Sequence, residues 1–150
     1  MCKIDLKDVY TVVPIHPESR QYLTFKNEGK IYQYCSLAFG LNVAPRLFSK
    51  LMGYAIEPLN YQGICLVYYL DDICLLSRSK EDLLKTTQTV IRHLKSLGFI
   101  INEGKSILTP SQTQEFLGFQ FNIKTMKITV PSPKINNLLQ RIKQTPQPIK

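Results

Sequence analysis

"VYYLDDICLLS", residues 67–77, sets two adjacent aspartates between two apolar runs, and its reading decides the fold. "CLVYYL" (65–70) and "ICLL" (73–76) have the aliphatic and aromatic composition of strands. Asp71 and Asp72 fall where the pattern asks for a tight turn, and Asp is an ordinary turn residue. The stretch predicts a hairpin with strands at 64–69 and 73–77, its flanks apolar enough for burial on both faces. A surface turn would need nothing more than polar side chains. Two carboxylates close to an apolar core, however, repel each other and lose hydration unless a cation compensates.

"KIDLKD" (3–8) adds Asp5 and Asp8 on another apolar strand, which a sheet can bring beside the turn. Carboxylates converging from two strands would make an all-oxygen site suited to Mg²⁺. Two such ions roughly 4 Å apart serve in-line phosphoryl transfer, one activating the attacking oxygen and the other stabilising the leaving oxygen. Glycoside hydrolysis also uses two carboxylates, but on opposite sides of a sugar and roughly 5 Å or more apart, which adjacent turn residues do not suit. The chemistry alone leaves a structural hairpin and a metal site equally open.

Outward from the hairpin, "CKIDLKDVYTVVPI" (2–15) predicts strands near 2–6 and 10–15, and "YLTFKNEGKIYQYCSL" (22–37) a hairpin with strands at 21–26 and 30–36. Leu47, Phe48, Leu51, Met52, Ala55, Ile56 and Leu59 recur at helical spacing, with Asn42 as candidate N-cap, Pro45 in the first turn and Pro58 as the stop. A second helix follows Ser79, which pairs with Asp82 in a capping-box-like arrangement. Leu83, Leu84, Thr87, Val90, Ile91, Leu94 and Leu97 form its stripe, and Gly98 ends it. Short strands are expected at 99–101, 106–108, 115–121 and 126–130, and an amphipathic helix at 133–143. The order predicts an α+β chain whose antiparallel sheet carries helices on one face.

The 150 residues suffice for one domain with a hydrophobic core, and 44% hydrophobic with 20% charged residues is a globular composition. The tail "QTPQPIK" (144–150) is expected to be flexible. A net charge of +8 favours a polyanionic partner. Cys2, Cys35, Cys65 and Cys74 form no C-x-x-C pair, which argues against a disulfide framework or zinc site and for a reducing, intracellular compartment, cytoplasm or nucleus. The longest apolar run, "ICLVYYL" (64–70), is too short to span a bilayer, and "MCKIDLKDVY" (1–10) carries charges where a signal peptide needs an apolar core. His16 is expected in a turn and His93 on the solvent side of the second helix.

"DLKDVY" (5–10), "LAFGLNVAPRLFSKLM" (37–52), "YLDD" (69–72), "LGFIINEGKS" (97–106) and "FLGF" (116–119) stand in the order and approximate spacing of the palm motifs of reverse transcriptases. The chain resembles that family from residue 3 to about 121. "PIHPESRQYLTF" (14–25), "INEGKSILTPSQTQEFLGF" (101–119) and "MKITVPSPKI" (126–135) look most like the DIRS-like, tyrosine-recombinase retroelements, with Ty3-like elements the alternative. The resemblance implies a polymerase palm over 1–130, ferredoxin-like, with a partial fingers insertion at about 16–38, and the start of a thumb or a linker over 131–150.

The resemblance also implies roles. Asp5, Asp71 and Asp72 would hold two Mg²⁺ ions, with Mn²⁺ as substitute, Asp72 being the third and usually less essential carboxylate. Backbone N–H groups of Asp8 and Val9 would face the triphosphate of a deoxynucleotide, and Tyr10 would crowd a ribose 2′-OH. Phe39 stands where retroviral enzymes carry glutamine. Gly40 would let template-primer and nucleotide approach the backbone, and Leu70 would lie under the nascent base pair. Lys105 matches a lysine proposed to protonate the departing pyrophosphate, and Phe116, Leu117, Gly118 and Phe119 match the primer grip. An RNA or DNA template-primer would be the partner, with the remaining fingers, thumb and RNase H regions lying elsewhere in a parent polyprotein. The expectation is an RNA-directed DNA polymerase whose fragment alone is weak or inactive. The rival is a catalytically inactive palm remnant that binds nucleic acid or a protein.

Overall fold

In the computed structural model, which describes residues 1–144, alternation along the first strand sets the central sheet. β1 (Cys2–Lys7) points Cys2, Ile4 and Leu6 into the core and Lys3, Asp5 and Lys7 to the other face. The predicted hairpin forms as β4 (Leu66–Tyr69) and β5 (Asp72–Leu75). With β6 (Ile100–Ile101) the sheet order is β4-β5-β1-β6, antiparallel throughout. α1 (Ala44–Tyr61) lies between β1 and β4 in sequence, and α2 (Lys80–Ser96) between β5 and β6. This βαββαβ order is the ferredoxin-like arrangement expected, with both helices on one face.

That face buries the main core. Phe48, Met52, Ile56 and Leu59 of α1 and Leu83, Val90 and Leu94 of α2 pack with Ile4, Ile73 and Leu75 of the sheet. The remaining described strands and α-helix are β2 (Thr24–Asn27), β3 (Lys30–Gln33), β7 (Thr113–Phe116), β8 (Phe119–Asn122), β9 (Lys127–Thr129) and α3 (Ser132–Gln144). β2 and β3 form a separate exposed ribbon whose base is pinned by the Pro14–Ser36 bridge. β7-β8-β9 is a third sheet. It packs against the helix-free face of the main one through Phe116, Met1 and Cys74.

Several expectations are corrected. Residues 10–15 are not a strand: Asp8 adopts a left-handed conformation (φ 51°) and starts a 3₁₀ turn, Val9–Val12, which swings Val9 and Tyr10 into the core. Asn42 does not cap α1; Val43 precedes it and supplies no side-chain cap. Pro58 does not end α1, because burial of Leu59 outweighs the single backbone bond proline forfeits. The hairpin is not buried on both faces: β4 is the edge strand, and its Val67 and Tyr69 are exposed. Residues 106–108 make only the isolated Lys3–Ile107 bridge, and 115–121 folds back on itself between β7 and β8. His93 does not face only solvent; its Nε2 lies 2.7 Å from the Ala55 carbonyl oxygen and donates to it, tying α2 to α1.

The cap of α2 forms half as expected. Ser79 Oγ accepts from the Asp82 N–H at 3.1 Å, but the carboxylate that meets the hydroxyl is Glu81, not Asp82. Gly98 (φ 89°) closes the helix. His16 immediately precedes a 3₁₀ turn, Pro17–Tyr22, and is exposed. No helix among the described residues is long and apolar enough to cross a membrane. Apart from Gln144, the tail expected to be flexible lies outside the described residues.

Candidate active site

The hairpin tip and β1 bring the acidic residues to one end of the central sheet. Asp5 stands directly opposite Asp72 in the β1–β5 ladder, and the Leu6 N–H donates to the Asp71 carbonyl at 2.9 Å. The two-residue turn, Leu70-Asp71, holds Leu70 at φ 51°, a left-handed conformation that costs a non-glycine residue about 1–2 kcal/mol. Leu70 is half-buried against the main core, which helps fix the turn.

Asp5 is 7% exposed, and its carboxylate makes no hydrogen bond or ion pair among the described residues. The half-buried Asp71 carboxylate likewise has no partner there. Asp72 differs: its Oδ1 is 2.8 Å from Lys3 Nζ, an ion contact without hydrogen-bond alignment, so the buried oxygen remains without a hydrogen bond. The three carboxylates do not close into one ligand set, and no group of three His, Cys, Asp or Glu among the described residues is arranged to hold a metal. Two carboxylates without partners among the described residues, one on β1 and one in the adjoining turn, nevertheless fit a hard divalent cation, because Mg²⁺ is commonly held by one or two carboxylates with substrate phosphates and water completing its shell.

Beyond β1, the N–H groups of Asp8, Val9 and Tyr10 make no hydrogen bonds among the described residues, while the Asp8 carbonyl accepts from both the N–H and Oγ1 of Thr11. A left-handed residue followed by a helical turn gathers free N–H groups in the manner of an anion-binding nest. Val9 and Tyr10 are buried. The Tyr10 ring meets Phe39 edge-to-face at 4.9 Å and Phe48 at 5.7 Å. Phe39 is itself 75% exposed and covers Tyr10 from outside. Gly40 next to it takes φ 91°, which disfavours a side chain although a Cβ would meet nothing within 4 Å.

Lys105 is exposed in the turn after β6, its N–H bonded to the Asn102 carbonyl at 3.2 Å. Its neighbour Ser106 was not singled out from the sequence, yet its Oγ accepts from the Asp5 N–H at 3.0 Å and donates to the Asn102 carbonyl at 2.7 Å. Lys3 was also missed, although its place two residues before Asp5 puts both on one strand face. The β7–β8 hairpin turns through Leu117 (φ 48°) and Gly118 (φ 82°), two positive values that fit a type I′ turn. Phe116 is buried against Cys74, which lies two residues beyond Asp72, whereas Leu117 and Phe119 are half exposed. Burial pushes the Cys74 thiol up from its ordinary value. A Cβ at Gly118 would sit 2.8 Å from Lys134 Nζ, which pairs with Glu115 at 3.1 Å.

Comparison with known proteins follows the same outline. The family model described as reverse transcriptase (RNA-dependent DNA polymerase) matches residues 1–121. The genome polyprotein of Petunia vein clearing virus (isolate Shepherd) is 32% identical over 143 residues, covering 95% of this chain and 6% of the polyprotein. The Transposon Tf2-3 polyprotein of Schizosaccharomyces pombe is 26% identical over 122 residues, 81% of this chain and 9% of that one. The chain thus spans under a tenth of the length of these curated relatives. The foamy viral protease-reverse transcriptase in complex with RNA/DNA hybrid superposes with a TM-score of 0.79 at 26% identity, covering 98% of this chain and 19% of that one. Its complex with dsDNA gives 0.80 at 26% identity, covering 98% and 29%.

Proposed function

The chain belongs to the reverse transcriptase (RNA-dependent DNA polymerase) family, and on that premise we propose that it is the palm of a retroelement RNA-directed DNA polymerase, joining deoxynucleotides to a primer by two-metal-ion catalysis. The observation that carries this reading is the pair Asp5, on β1, and Asp71, in the β4–β5 turn, whose segments are joined by the Leu6 N–H to Asp71 carbonyl hydrogen bond and whose carboxylates have no partner among the described residues. Asp5 and Asp71 would hold Mg²⁺, or Mn²⁺ in its place, with Asp72 as the supporting third carboxylate. Bound there, the two ions supply activation of the primer 3′ oxygen and neutralisation of charge on the leaving pyrophosphate.

The chain's own residues do the positioning. The free N–H groups of Asp8 and Val9 bind triphosphate oxygens. Tyr10, braced by Phe39 and Phe48, offers an edge against a ribose 2′-OH. Gly40 lets template-primer and nucleotide approach the backbone, and Leu70 lies under the nascent base pair. Lys105, exposed beside the strand that carries Asp5, can give a proton to pyrophosphate. The Phe116-Leu117-Gly118-Phe119 turn supports the primer end, its buried Phe116 anchoring it to β5.

In this reading residues 1–130 are the palm with a partial fingers insertion at about 16–38, and 131–150 begin a thumb or linker. The template-primer partner is supported by the foamy viral relative, which is complexed with RNA/DNA hybrid and dsDNA. The parent polyprotein is supported by the viral and transposon relatives. The DIRS-like assignment rests on "PIHPESRQYLTF" and "MKITVPSPKI", and an intracellular compartment on the scattered cysteines.

The test is primer extension on an RNA template with Mg²⁺ and deoxynucleotides, using the parent protein. Asp71→Asn is expected to reduce extension by about 100-fold or more, as loss of a charge-stabilising group does. Equal extension after that change, or none from the parent, would leave a binding module in place of an enzyme.

A further inference from the structure

The carboxylates of Asp5 and Asp72 face each other across the β1–β5 ladder, where like charges are unfavourable. Lys3 lies two residues before Asp5 on the same strand face, diagonal to Asp72. Its Nζ is 2.8 Å from Asp72 Oδ1, and the two side chains are 19% and 23% exposed. Because that oxygen is buried and accepts no hydrogen bond among the described residues, the ammonium is the group there that neutralises it. The backbone of Lys3 is also held from both sides. It stands opposite Cys74 in the β1–β5 ladder and exchanges two 2.8 Å hydrogen bonds with Ile107. The side chain therefore reaches Asp72 from a fixed origin, and no comparable ion pair reaches Asp5 or Asp71 among the described residues.

We propose that Lys3 is a positioning residue of the candidate site, a built-in counter-cation that keeps Asp72 out of the metal's ligand set. The inference rests on the reading of Asp5 and Asp71 as ligands. It accounts for a division among the three carboxylates at this sheet end: Lys3 pairs with Asp72, while Asp5 and Asp71 have no ion pair among the described residues. Removing the ammonium frees Asp72 and adds negative charge, so cation affinity rises while the metal-free fold weakens.

The experiment is calorimetric titration of the chain with Mg²⁺ alone, in a double-mutant cycle over Lys3→Met and Asp72→Asn. In the parent background, Asp72→Asn is expected to change the Mg²⁺ dissociation constant by less than about threefold. Lys3→Met is expected to tighten binding about tenfold, and adding Asp72→Asn should reverse that gain, a coupling of the size contacting groups show. Lys3→Arg, which keeps the positive charge, should behave as the parent. Loss of tenfold or more on Asp72→Asn in the parent background, or equal effects of Asp72→Asn with and without Lys3, overturns the proposal. The first of those measurements leaves Lys3 untouched, so it decides even where Lys3→Met fails to fold. Asp5→Asn and Asp71→Asn, titrated alongside, should each weaken binding at least tenfold. Unchanged affinity in both would overturn the ligand reading itself, and the Lys3 proposal with it.

Discussion

Truncating Tyr10 to alanine separates the packing role of its ring from the sugar-gating role proposed for it. The residue is 8% exposed and lies edge-on to Phe39 at 4.9 Å and Phe48 at 5.7 Å. Removing a buried aromatic ring costs about 3–5 kcal/mol, depending on how far the site can collapse. Here the Phe48 side cannot relax, because Phe48 is fully buried, whereas the exposed Phe39 can fall inward. The loss should therefore lie near the lower end, about 3 kcal/mol. At about 2–4 °C per kcal/mol for a chain of this size, the melting temperature should fall by about 6–12 °C. Tyr10→Phe keeps the ring, and the hydroxyl it removes makes no hydrogen bond among the described residues, so its cost should stay within about 0.5 kcal/mol.

Thermal and urea melts measure the packing role, and ribonucleotide against deoxynucleotide incorporation by the parent protein tests the proposed gate. Alanine should raise ribonucleotide incorporation and phenylalanine should not. A loss below about 1 kcal/mol for Tyr10→Ala would refute the packing argument. Unchanged ribonucleotide discrimination would refute the gate and leave Tyr10 a core residue only.

Two further perturbations follow from single hydrogen bonds. Ser106→Ala strips the Asp5 N–H of its acceptor and should cost about 1–3 kcal/mol in urea unfolding, with faster amide exchange at Asp5. A normal exchange rate would show that another acceptor takes over. Ser79→Ala should cost about 1 kcal/mol by loss of the cap on the Asp82 N–H. The neighbouring Glu81 carboxyl is held below the ordinary carboxylate value, chiefly by its own backbone N–H and then by the Ser79 hydroxyl. Its folded value is depressed, so its contribution is present above the unfolded value and disappears as pH falls through the folded one. Glu81→Gln should flatten that part of the acid-side stability profile, and an unchanged profile would contradict the assignment.

Much of the fold was legible because it rests on local periodicity. The strand-turn-strand pattern around Asp71 and Asp72, the stripe from Leu83 to Leu94, and the Ser79 and Gly98 boundaries each depend on neighbours in sequence. The misreadings arose where distant packing prevailed over local preference. "VYTVV" has strand composition, but burial of Val9 and Tyr10 beneath α1 pulls it into a 3₁₀ turn. Pro58 has the look of a stop, but Leu59 is worth burying. His93 lies on the polar side of its own helix, yet a carbonyl of the other helix comes within reach.

The sequence by itself determined the strand-turn-strand around Asp71 and Asp72 and the two long helices, because turn chemistry and the two- and 3.6-residue periods are written along the chain. Only the tertiary structure decided which carboxylates stand free. Sheet register, which sets Asp5 opposite Asp72 and Lys3 diagonal to it, depends on how β1 seats between β5 and β6. Ion pairing acts across space, so Lys3 and Ser106, ordinary residues in one dimension, become part of the site in three.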